Sequence, residues 1–296
     1  MVYKKIILKD VNNFELKDIF ECGQCFRWKK EPNGSYTGVV KIGVLNVSKF
    51  KSMVEICGYI NEQADLKSFC QDYFDLNTDY DKAKKIISKN DTTMKEAIKF
   101  GKGIRILNQD PFEMLISYII SAANNIPRIS KTIENISREC GKKISLSIDE
   151  NKKLTGNNEA KVYYLFPSPK ELSKCTMEKL RECNLGFRDK YVYGAAKQVA
   201  DKKIELNIIM LKEYKEAKKE LMLIDGVGSK VADCILLFSM KKTEAFPVDT
   251  WIIKIMNEVY VETKNLKKIN EYAFNKWKEY AGIAQQYLFY YKRENS

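Results

Sequence analysis

Three side chains share one face of a predicted helix in the C-terminal third of the chain. Lys230, Cys234 and Phe238 follow each other at four-residue spacing. An uncharged lysine attacks carbon, and burial beside helix-terminal dipoles lowers the pKa of a lysine. Asp249 follows at the predicted start of a separate helix, where a carboxylate can stabilise a cationic intermediate or transfer a proton. The alternative role for Asp249 is helix capping alone.

Histidine is missing from the sequence, which contains 0 His in 296 residues. This excludes Ser–His and Cys–His nucleophile pairs, the HExxH zinc site and a histidine general base. Catalysis by this chain must therefore rely on Lys, Asp, Glu, Tyr, Cys or backbone groups. A lysine nucleophile with a carboxylate partner is one of the few complete sets that remain.

A second predicted helix places Gln285 and Phe289 on one face by the same four-residue rule. Together with Cys234 and Phe238 they would line a pocket for a planar base. Flat rings stack on a base, and an amide side chain can both donate a hydrogen bond to its edge and accept one from it. The alternative is that Cys234, Phe238 and Phe289 are core residues. Taken alone, these residue types favour that alternative.

The segment LIDGVGSKVADC, from Leu223 to Cys234, predicts a tight turn between two helices. Gly226 and Gly228 lack a Cβ atom, so the backbone can turn sharply and approach another backbone. The first N–H groups of the following helix then form an anion site suited to a nucleic-acid phosphate. The alternative is an ordinary turn with a solvated lysine.

The composition indicates a folded protein with a polyanionic partner. The chain is 45% hydrophobic and 30% charged, with a net charge of +12 and a pI near 9.1. Its apolar runs are too short to span a membrane, and its N-terminus does not resemble a signal peptide, so we expect a soluble cytoplasmic protein. Eight cysteines include one CxxC pair, Cys22 and Cys25. We expect no zinc site and reduced, buried thiols.

The pattern of apolar residues predicts an α+β protein. Residues 3–57, including FELKDIF, read as an antiparallel β-meander, and the chain after Asn61 reads as all-helical. Asp110 and Pro111 predict the start of a central apolar helix, and residues 141–167 an exposed irregular excursion. We expect a sheet domain with flanking helices over residues 1–108 and a helical domain over residues 109–296.

Several motifs in order along the chain resemble one family. LIDGVGSKVADC followed by FPVDTW resembles the helix-hairpin-helix and Gly/Pro-Asp signature of base-excision DNA glycosylases. The lysine directly after GVGS, with VADC behind it, resembles 8-oxoguanine DNA glycosylases. CGQCFRW, QDPFEMLISYIISAANNIPRI, LGFRDKYV and YAGIAQQYLF are similar to that family as well.

This resemblance implies roles for particular residues. Lys230 resembles the nucleophile that attacks C1′ and forms a Schiff base, and Asp249 the catalytic aspartate. Gly23 resembles the glycine whose carbonyl accepts a hydrogen bond from N7–H of 8-oxoguanine, a proton that guanine lacks. Gln285 resembles the residue at the Watson–Crick edge. Cys234 and Phe289 resemble the two stacking walls.

The resemblance also implies a DNA partner and no cofactor. The DNA would be a duplex containing 8-oxoguanine, bound by a monomer that excises the base and cleaves the strand by β-elimination. The implied DNA-contacting residues are Asn124, Arg128, Phe187, Arg188, Gly226, Gly228 and Lys230.

Three positions depart from the family pattern. Ala123 stands first in a run that is usually three asparagines, of which the first helps to fill the space left by the extruded base. Phe187 replaces a tyrosine wedge, and Trp251 replaces a phosphate-contacting histidine. Arg128 and Arg188 match the two arginines that read the orphaned cytosine. The departures bear on the preference for cytosine more than on recognition of the lesion.

Three hypotheses remain at this point. The first is an 8-oxoguanine DNA glycosylase with abasic-site lyase activity. The second is an enzyme of the same fold that acts on an alkylated or mismatched base. The third is a non-catalytic hairpin module, which binds duplex DNA in a salt-sensitive way without cleaving it. Lys230, Asp249 and Gln285 together favour an enzyme over this third class.

Overall fold

A computed structural model describes residues 1–295. Its N-terminal region is a five-stranded antiparallel sheet of order β1-β5-β4-β3-β2. The strands are β1 (Val2–Leu8), β2 (Trp28–Lys30), β3 (Tyr36–Val40), β4 (Gly43–Phe50) and β5 (Met53–Ile60). Strands β2 to β5 form the predicted meander. Strand β1 returns to the far edge, where Ile6 lies opposite Ile56.

One segment that we predicted as a strand is a helix. FELKDIF contains α1 (Leu16–Phe20), so the strand prediction is wrong there. Leu16, Ile19 and Phe20 have helical i, i+3, i+4 spacing, and all three are buried in the core under the sheet. The apparent alternation was too short to distinguish the two periods.

The rest of the chain is mainly helical, and its last helix returns to the first ones. Helix α16 packs on α14, α4 and α3. The helices are α2 (Leu66–Tyr73), α3 (Tyr80–Ile87), α4 (Thr92–Phe100), α5 (Pro111–Ile120), α6 (Ile126–Cys140), α7 (Ile148–Thr155), α8 (Pro169–Leu172), α9 (Met177–Glu182), α10 (Asp189–Ala200), α11 (Leu206–Leu211), α12 (Tyr214–Leu221), α13 (Ser229–Ser239), α14 (Thr250–Ile255), α15 (Leu266–Trp277) and α16 (Ala281–Glu294).

Helix α5 lies at the centre of the helical core, as predicted. Asp110 caps it by accepting the N–H groups of Phe112 and Glu113, each at 3.0 Å, and Pro111 occupies its first turn. Every residue from Phe112 to Ile120 is buried. Helices α10 and α13 pack on α5, so α5 positions the elements that carry the candidate site.

The prediction of an irregular excursion at residues 141–167 is wrong, and so is the all-helical prediction after Asn61. Strands β6 (Lys143–Leu146) and β7 (Lys161–Tyr164) form an antiparallel pair around α7. Ile144, Leu146 and Leu154 are buried against the outer face of the large sheet. The burial of three apolar side chains stabilises strands too short to recognise among lysines and asparagines.

The expectation that all thiols are reduced is also wrong. Cys140, at the end of α6, forms a disulfide with Cys175, which precedes α9. The fold places their Cα atoms 6.7 Å apart, within the range that a disulfide bridges. The other cysteines, which include Cys22, Cys25 and Cys234, are free and buried. Sequence spacing gave no indication of this pairing, because it depends on tertiary contact.

No helix within residues 1–295 combines the length and apolar character needed to cross a membrane.

Candidate active site

Helices α12 and α13 form the predicted hairpin, and its two glycines have different roles. Gly226 has φ +87°, and a Cβ atom there would lie 2.9 Å from the side chain of Tyr191. Gly228 has φ −86°, which any residue adopts, and a Cβ atom there would project into open space. No side chain caps the first N–H groups of α13. Gly226 therefore forms the turn, while Gly228 leaves α13 open to an approaching anion.

Lys230 lies in the first turn of α13 and faces α5. Its Nζ donates to Ser121 Oγ at 3.2 Å and lies 5.3 Å from the centre of the Tyr118 ring. Within residues 1–295, Lys230 forms no ion pair, and its side chain is only half-buried. Lys230 is therefore held by a hydroxyl and a ring face rather than by a carboxylate.

Cys234 and Asp249 lie close enough to Lys230 to interact with its charge. Burial raises the pKa of the Cys234 thiol to about 12, while the positive charge of Lys230 lowers it and the negative charge of Asp249 raises it. The thiol is therefore protonated at neutral pH and forms an apolar wall. The effects of both charges on one thiol support the predicted convergence of the three side chains.

Asp249 is the N-cap of α14 and accepts the N–H of Ile252 at 2.9 Å. Desolvation raises the pKa of this carboxyl above its usual 3.8, although backbone N–H groups and Lys230 oppose the shift. The cap fixes the direction of the carboxylate, so capping and a chemical role are compatible. A partly desolvated carboxylate next to an amine is suited to stabilising a cation.

Phe238 packs against Tyr118 inside the core. Its side chain is 3% exposed and stacks on Tyr118 with ring centres 5.7 Å apart. Cys234 is equally buried, whereas Phe289 is half-buried. Phe238 is thus a core residue, as the alternative held, and it supports the Tyr118 ring on which Lys230 lies.

The loop that carries Gly23 is held by side chains from distant parts of the chain. Arg293 Nη2 donates to the carbonyl of residue 21 at 2.7 Å, and Gln286 Nε2 donates to the carbonyl of residue 22 at 2.7 Å. The carbonyl of residue 24 accepts Gln109 Nε2 at 2.8 Å and Tyr118 Oη at 3.3 Å. In residues 1–295, the Gly23 carbonyl has no such donor. It is an unpaired acceptor between carbonyls that are held by side-chain donors.

Gly23 itself requires the absence of a side chain. Its φ is +90°, and a Cβ atom would lie 2.9 Å from Phe289 Cε1 and 2.7 Å from Arg293 Nη1. The glycine therefore packs directly against the ring predicted to stack on a base. Gly23 lies in the loop between α1 and β2, not within a strand.

Gln285 lies one helical turn before Phe289 on α16. Its side chain is 4% exposed, and its Oε1 has no hydrogen-bond partner within residues 1–295. A buried amide oxygen without a donor is uncommon in folded proteins and indicates a missing partner. Gln285 and the Gly23 carbonyl thus leave two acceptors unsatisfied near Phe289.

The turn after α5 carries the residues predicted to contact the opposite strand. Ala123 is exposed and has φ +48°. Arg188 is buried, and its Nε donates to the Ala122 carbonyl at 2.9 Å and its Nη2 to the Ala123 carbonyl at 3.1 Å. Its Nη1 donates to Leu185 O at 3.4 Å. Every guanidinium nitrogen of Arg188 is therefore bound to protein backbone.

The other predicted strand contacts lie around this turn. Phe187 is 60% exposed, with the Arg188 guanidinium 4.3 Å from its ring centre. Burial lowers the pKa of Arg188, and the positive charge of the nearby, exposed Arg128 lowers it further. Asn124 donates to Ile120 O at 3.1 Å. An exposed ring beside two arginines suits contact with a nucleic acid.

Sequence reasoning missed five residues of the site. They contact Lys230 or the Gly23 loop, and they are Gln109, Tyr118, Ser121, Gln286 and Arg293. Two of them, Tyr118 and Ser121, lie in or just after α5, three residues apart, as polar groups in a mainly apolar helix. That signal could have been read. The other three depend on contacts between distant segments.

Comparison with known proteins defines the class first. Residues 116–279 match the HhH-GPD superfamily of base excision DNA repair proteins, and residues 6–115 match the N-terminal domain of 8-oxoguanine DNA glycosylase. The probable N-glycosylase/DNA lyase of Methanothermobacter thermautotrophicus is 30% identical over 96% of this chain and 95% of its own. The N-glycosylase/DNA lyase of Saccharomyces cerevisiae is 30% identical over 93% of this chain and 82% of its own. The chain belongs to the HhH-GPD superfamily.

A solved structure narrows the assignment. The Clostridium acetobutylicum 8-oxoguanine glycosylase/lyase, solved with double-stranded DNA containing cytosine opposite 8-oxoguanine, matches with a TM-score of 0.89 and 43% identity. The match covers 100% of this chain and 98% of that one. Within the superfamily, the chain belongs to the 8-oxoguanine DNA glycosylase family, and the α+β architecture predicted from the sequence is that of this family.

Proposed function

We propose that this protein excises 8-oxoguanine from duplex DNA and then cleaves the strand at the abasic site. The observation that carries the proposal is the Gly23 carbonyl, which has no donor within residues 1–295, whereas the neighbouring carbonyls of Glu21, Cys22 and Gln24 are each held by a side-chain donor. 8-Oxoguanine has a proton on N7 and guanine does not. A rigid acceptor that faces N7–H of a flipped base therefore favours the lesion by one hydrogen bond.

The proposed pocket surrounds the base on three sides. Phe289 and Cys234 stack on its two faces, and the Gln285 amide bonds its Watson–Crick edge. Phe238 contributes indirectly by supporting Tyr118. These assignments are supported by the unsatisfied Gln285 Oε1 and by the contact of Phe289 with Gly23.

The proposed chemistry uses residues of this chain only. The uncharged Lys230 amine attacks C1′ as the C1′–N9 bond breaks; N9 of the leaving base takes up a proton, and the amine loses one. Asp249 stabilises the positive charge that develops on the sugar. The ring opens to a Schiff base. Loss of a proton from C2′ then expels the 3′-phosphate, which cleaves the strand.

The proposed DNA surface combines the hairpin with the turn after α5. Gly226, Gly228 and Lys230 place the free N–H groups of α13 at a phosphate, and the net charge of +12 favours DNA in general. On the opposite strand we assign Arg128 and Arg188 to the orphaned cytosine, Phe187 to a wedge beside it, and Asn124 to the space left by the base. We also propose a cytoplasmic monomer whose domains divide near residue 108.

Trapping with borohydride tests the proposal, because it reduces a Schiff base to a stable protein–DNA adduct. We expect the wild type to be trapped on an 8-oxoguanine:cytosine duplex, not on the guanine duplex. Lys230→Gln should abolish the adduct, since an amide cannot form it. The matched control is Lys215→Gln on α12, where the lysine is exposed.

Two results would contradict the proposal. One is an adduct that survives Lys230→Gln. The other is equal trapping on lesion-containing and normal duplexes. Parallel excision assays with alkylated and mismatched bases would then identify the substrate.

A further inference from the structure

We propose that Arg293 is a positioning residue for lesion recognition, which sets the place of the Gly23 carbonyl relative to the Phe289 ring. The inference rests on the proposed function, since it assumes that Gly23 and Phe289 receive the base. The family resemblance did not point to Arg293. The inference follows from the contacts of its guanidinium.

Arg293 connects α16 to the loop that carries Gly23. Its Nη2 donates to the carbonyl of Glu21 at 2.7 Å. The guanidinium carbon lies 5.3 Å from the centre of the Phe289 ring and 5.5 Å from that of Tyr290. One side chain thus contacts both the recognition loop and the stacking ring.

The missing side chain of Gly23 shows how close this packing is. A Cβ atom on Gly23 would lie 2.7 Å from Arg293 Nη1 and 2.9 Å from Phe289 Cε1. The α-carbon therefore packs against the guanidinium and the ring together. Movement of Arg293 would open a gap on one side of Gly23 and shift its peptide relative to Phe289.

The polar contacts of residue 293 suit the guanidinium of an arginine better than the ammonium of a lysine. Glu294 accepts from Nε and Nη2, each at 2.8 Å, while Nη2 also reaches the loop carbonyl. Nη1 is buried and has no acceptor within residues 1–295. A buried N–H without a partner is unfavourable, so stability alone does not account for this arrangement. A planar fork can hold the loop and cover the ring at once, whereas a lysine ammonium cannot.

Arg293 has no contact with Lys230 or Asp249 among those described for residues 1–295. Its removal should therefore impair steps that depend on the base and spare those that depend only on the sugar. A duplex with a preformed abasic site separates the two, because strand cleavage there needs Lys230 but no lesion recognition.

The experiment compares Arg293→Met, Arg293→Lys and the control Arg138→Met. Arg138 likewise donates from a guanidinium nitrogen, to Asn135 Oδ1 at 3.2 Å, but at the end of α6. We expect Arg293→Met to lower kcat/KM for 8-oxoguanine excision about tenfold, mainly through KM, with abasic-site cleavage changed less than about twofold. Arg293→Lys should restore part of the loss, and Arg138→Met should match the wild type.

Wild-type excision by Arg293→Met would overturn the inference, and so would an equal loss of excision and abasic-site cleavage. An equal loss would indicate a purely structural role. Failure of the wild type to excise 8-oxoguanine would contradict the proposed function itself and remove the basis for a role in recognition.

Discussion

The proposed lesion pocket and the turn after α5 differ in how their polar groups are hydrogen-bonded. In the pocket, side-chain donors hold the carbonyls on either side of Gly23, while the Gly23 carbonyl and Gln285 Oε1 are acceptors without a donor within residues 1–295. At the turn, Arg188 is bound to the backbone carbonyls of Ala122 and Ala123, while Phe187 is exposed. The pocket thus offers unpaired acceptors to a ligand, whereas the polar groups of the turn are paired with one another.

This difference has an energetic consequence. A preorganised acceptor gains its full hydrogen bond when the base arrives, without breaking another. Arg188 must break hydrogen bonds to backbone carbonyls before it can bind a cytosine. Only the difference in free energy between its bonds to cytosine and its bonds to the backbone therefore contributes to binding. We therefore expect strong discrimination between lesion and guanine, and weaker discrimination among bases opposite the lesion.

The largest effect is expected when Asp249 is changed to Asn. Asparagine preserves helix capping, so stability should hold, while loss of the charge should slow base excision about 100- to 1,000-fold. Burial raises the pKa of Asp249, and only the ionised carboxylate stabilises a cation. Wild-type excision should therefore rise with pH as Asp249 ionises, above its usual value of 3.8, and the variant should lose this limb. Single-turnover rates between acidic and neutral pH check both points.

Gly23→Ala should lower 8-oxoguanine excision about 100-fold, because a displaced carbonyl loses its bond to N7–H and a Cβ meets Phe289. Abasic-site cleavage should be largely retained. Gly34→Ala is the control, since Gly34 has a similar φ of +85° but open space around it. If both variants excise equally well, the pocket is not the selective region.

Arg188→Met tests the other side of the comparison. The substitution should lower any preference for cytosine by about tenfold at most, since it removes a contact that needs rearrangement. It should also destabilise the protein, because the carbonyls of Ala122 and Ala123 lose their donors. Excision rates opposite each of the four bases measure the first effect and thermal unfolding measures the second. A large loss of preference for 8-oxoguanine over guanine would contradict the separation of the two regions.

Glu113→Gln should change stability with pH and leave discrimination nearly intact. Burial raises the Glu113 pKa from 4.5 to about 7, although Arg27 opposes the shift. The folded state therefore binds a proton that the unfolded state has released, so stability falls as pH rises between these values. Relative to the wild type, Glu113→Gln should gain at most about 3 kcal/mol over this range. Chemical denaturation at several pH values measures the free energy of unfolding of both proteins. If Glu113→Gln becomes less stable relative to the wild type as the pH rises, the prediction is wrong.

The candidate reactive residues could be predicted from the sequence, but the residues that hold them in place could not. Lys230, Asp249 and Gln285 could be proposed as site residues because helical spacing and motifs can be recognised in the sequence itself. The donors that hold the Gly23 loop come from α16 and from the segment before α5, and no local pattern links them. The strands around α7 and the disulfide between Cys140 and Cys175 were missed for the same reason. Long-range packing decides them, not local propensity.

The most direct test of the central claim is the affinity of Lys230→Gln for duplexes that contain 8-oxoguanine, guanine or 9-deazaguanine opposite cytosine. 9-Deazaguanine has a proton on N7 but no oxygen on C8, so it isolates the feature that Gly23 is proposed to read. We predict that 9-deazaguanine binds within a few-fold of 8-oxoguanine and about tenfold or more tightly than guanine. If 9-deazaguanine binds like guanine, the Gly23 carbonyl does not read N7–H and the account fails.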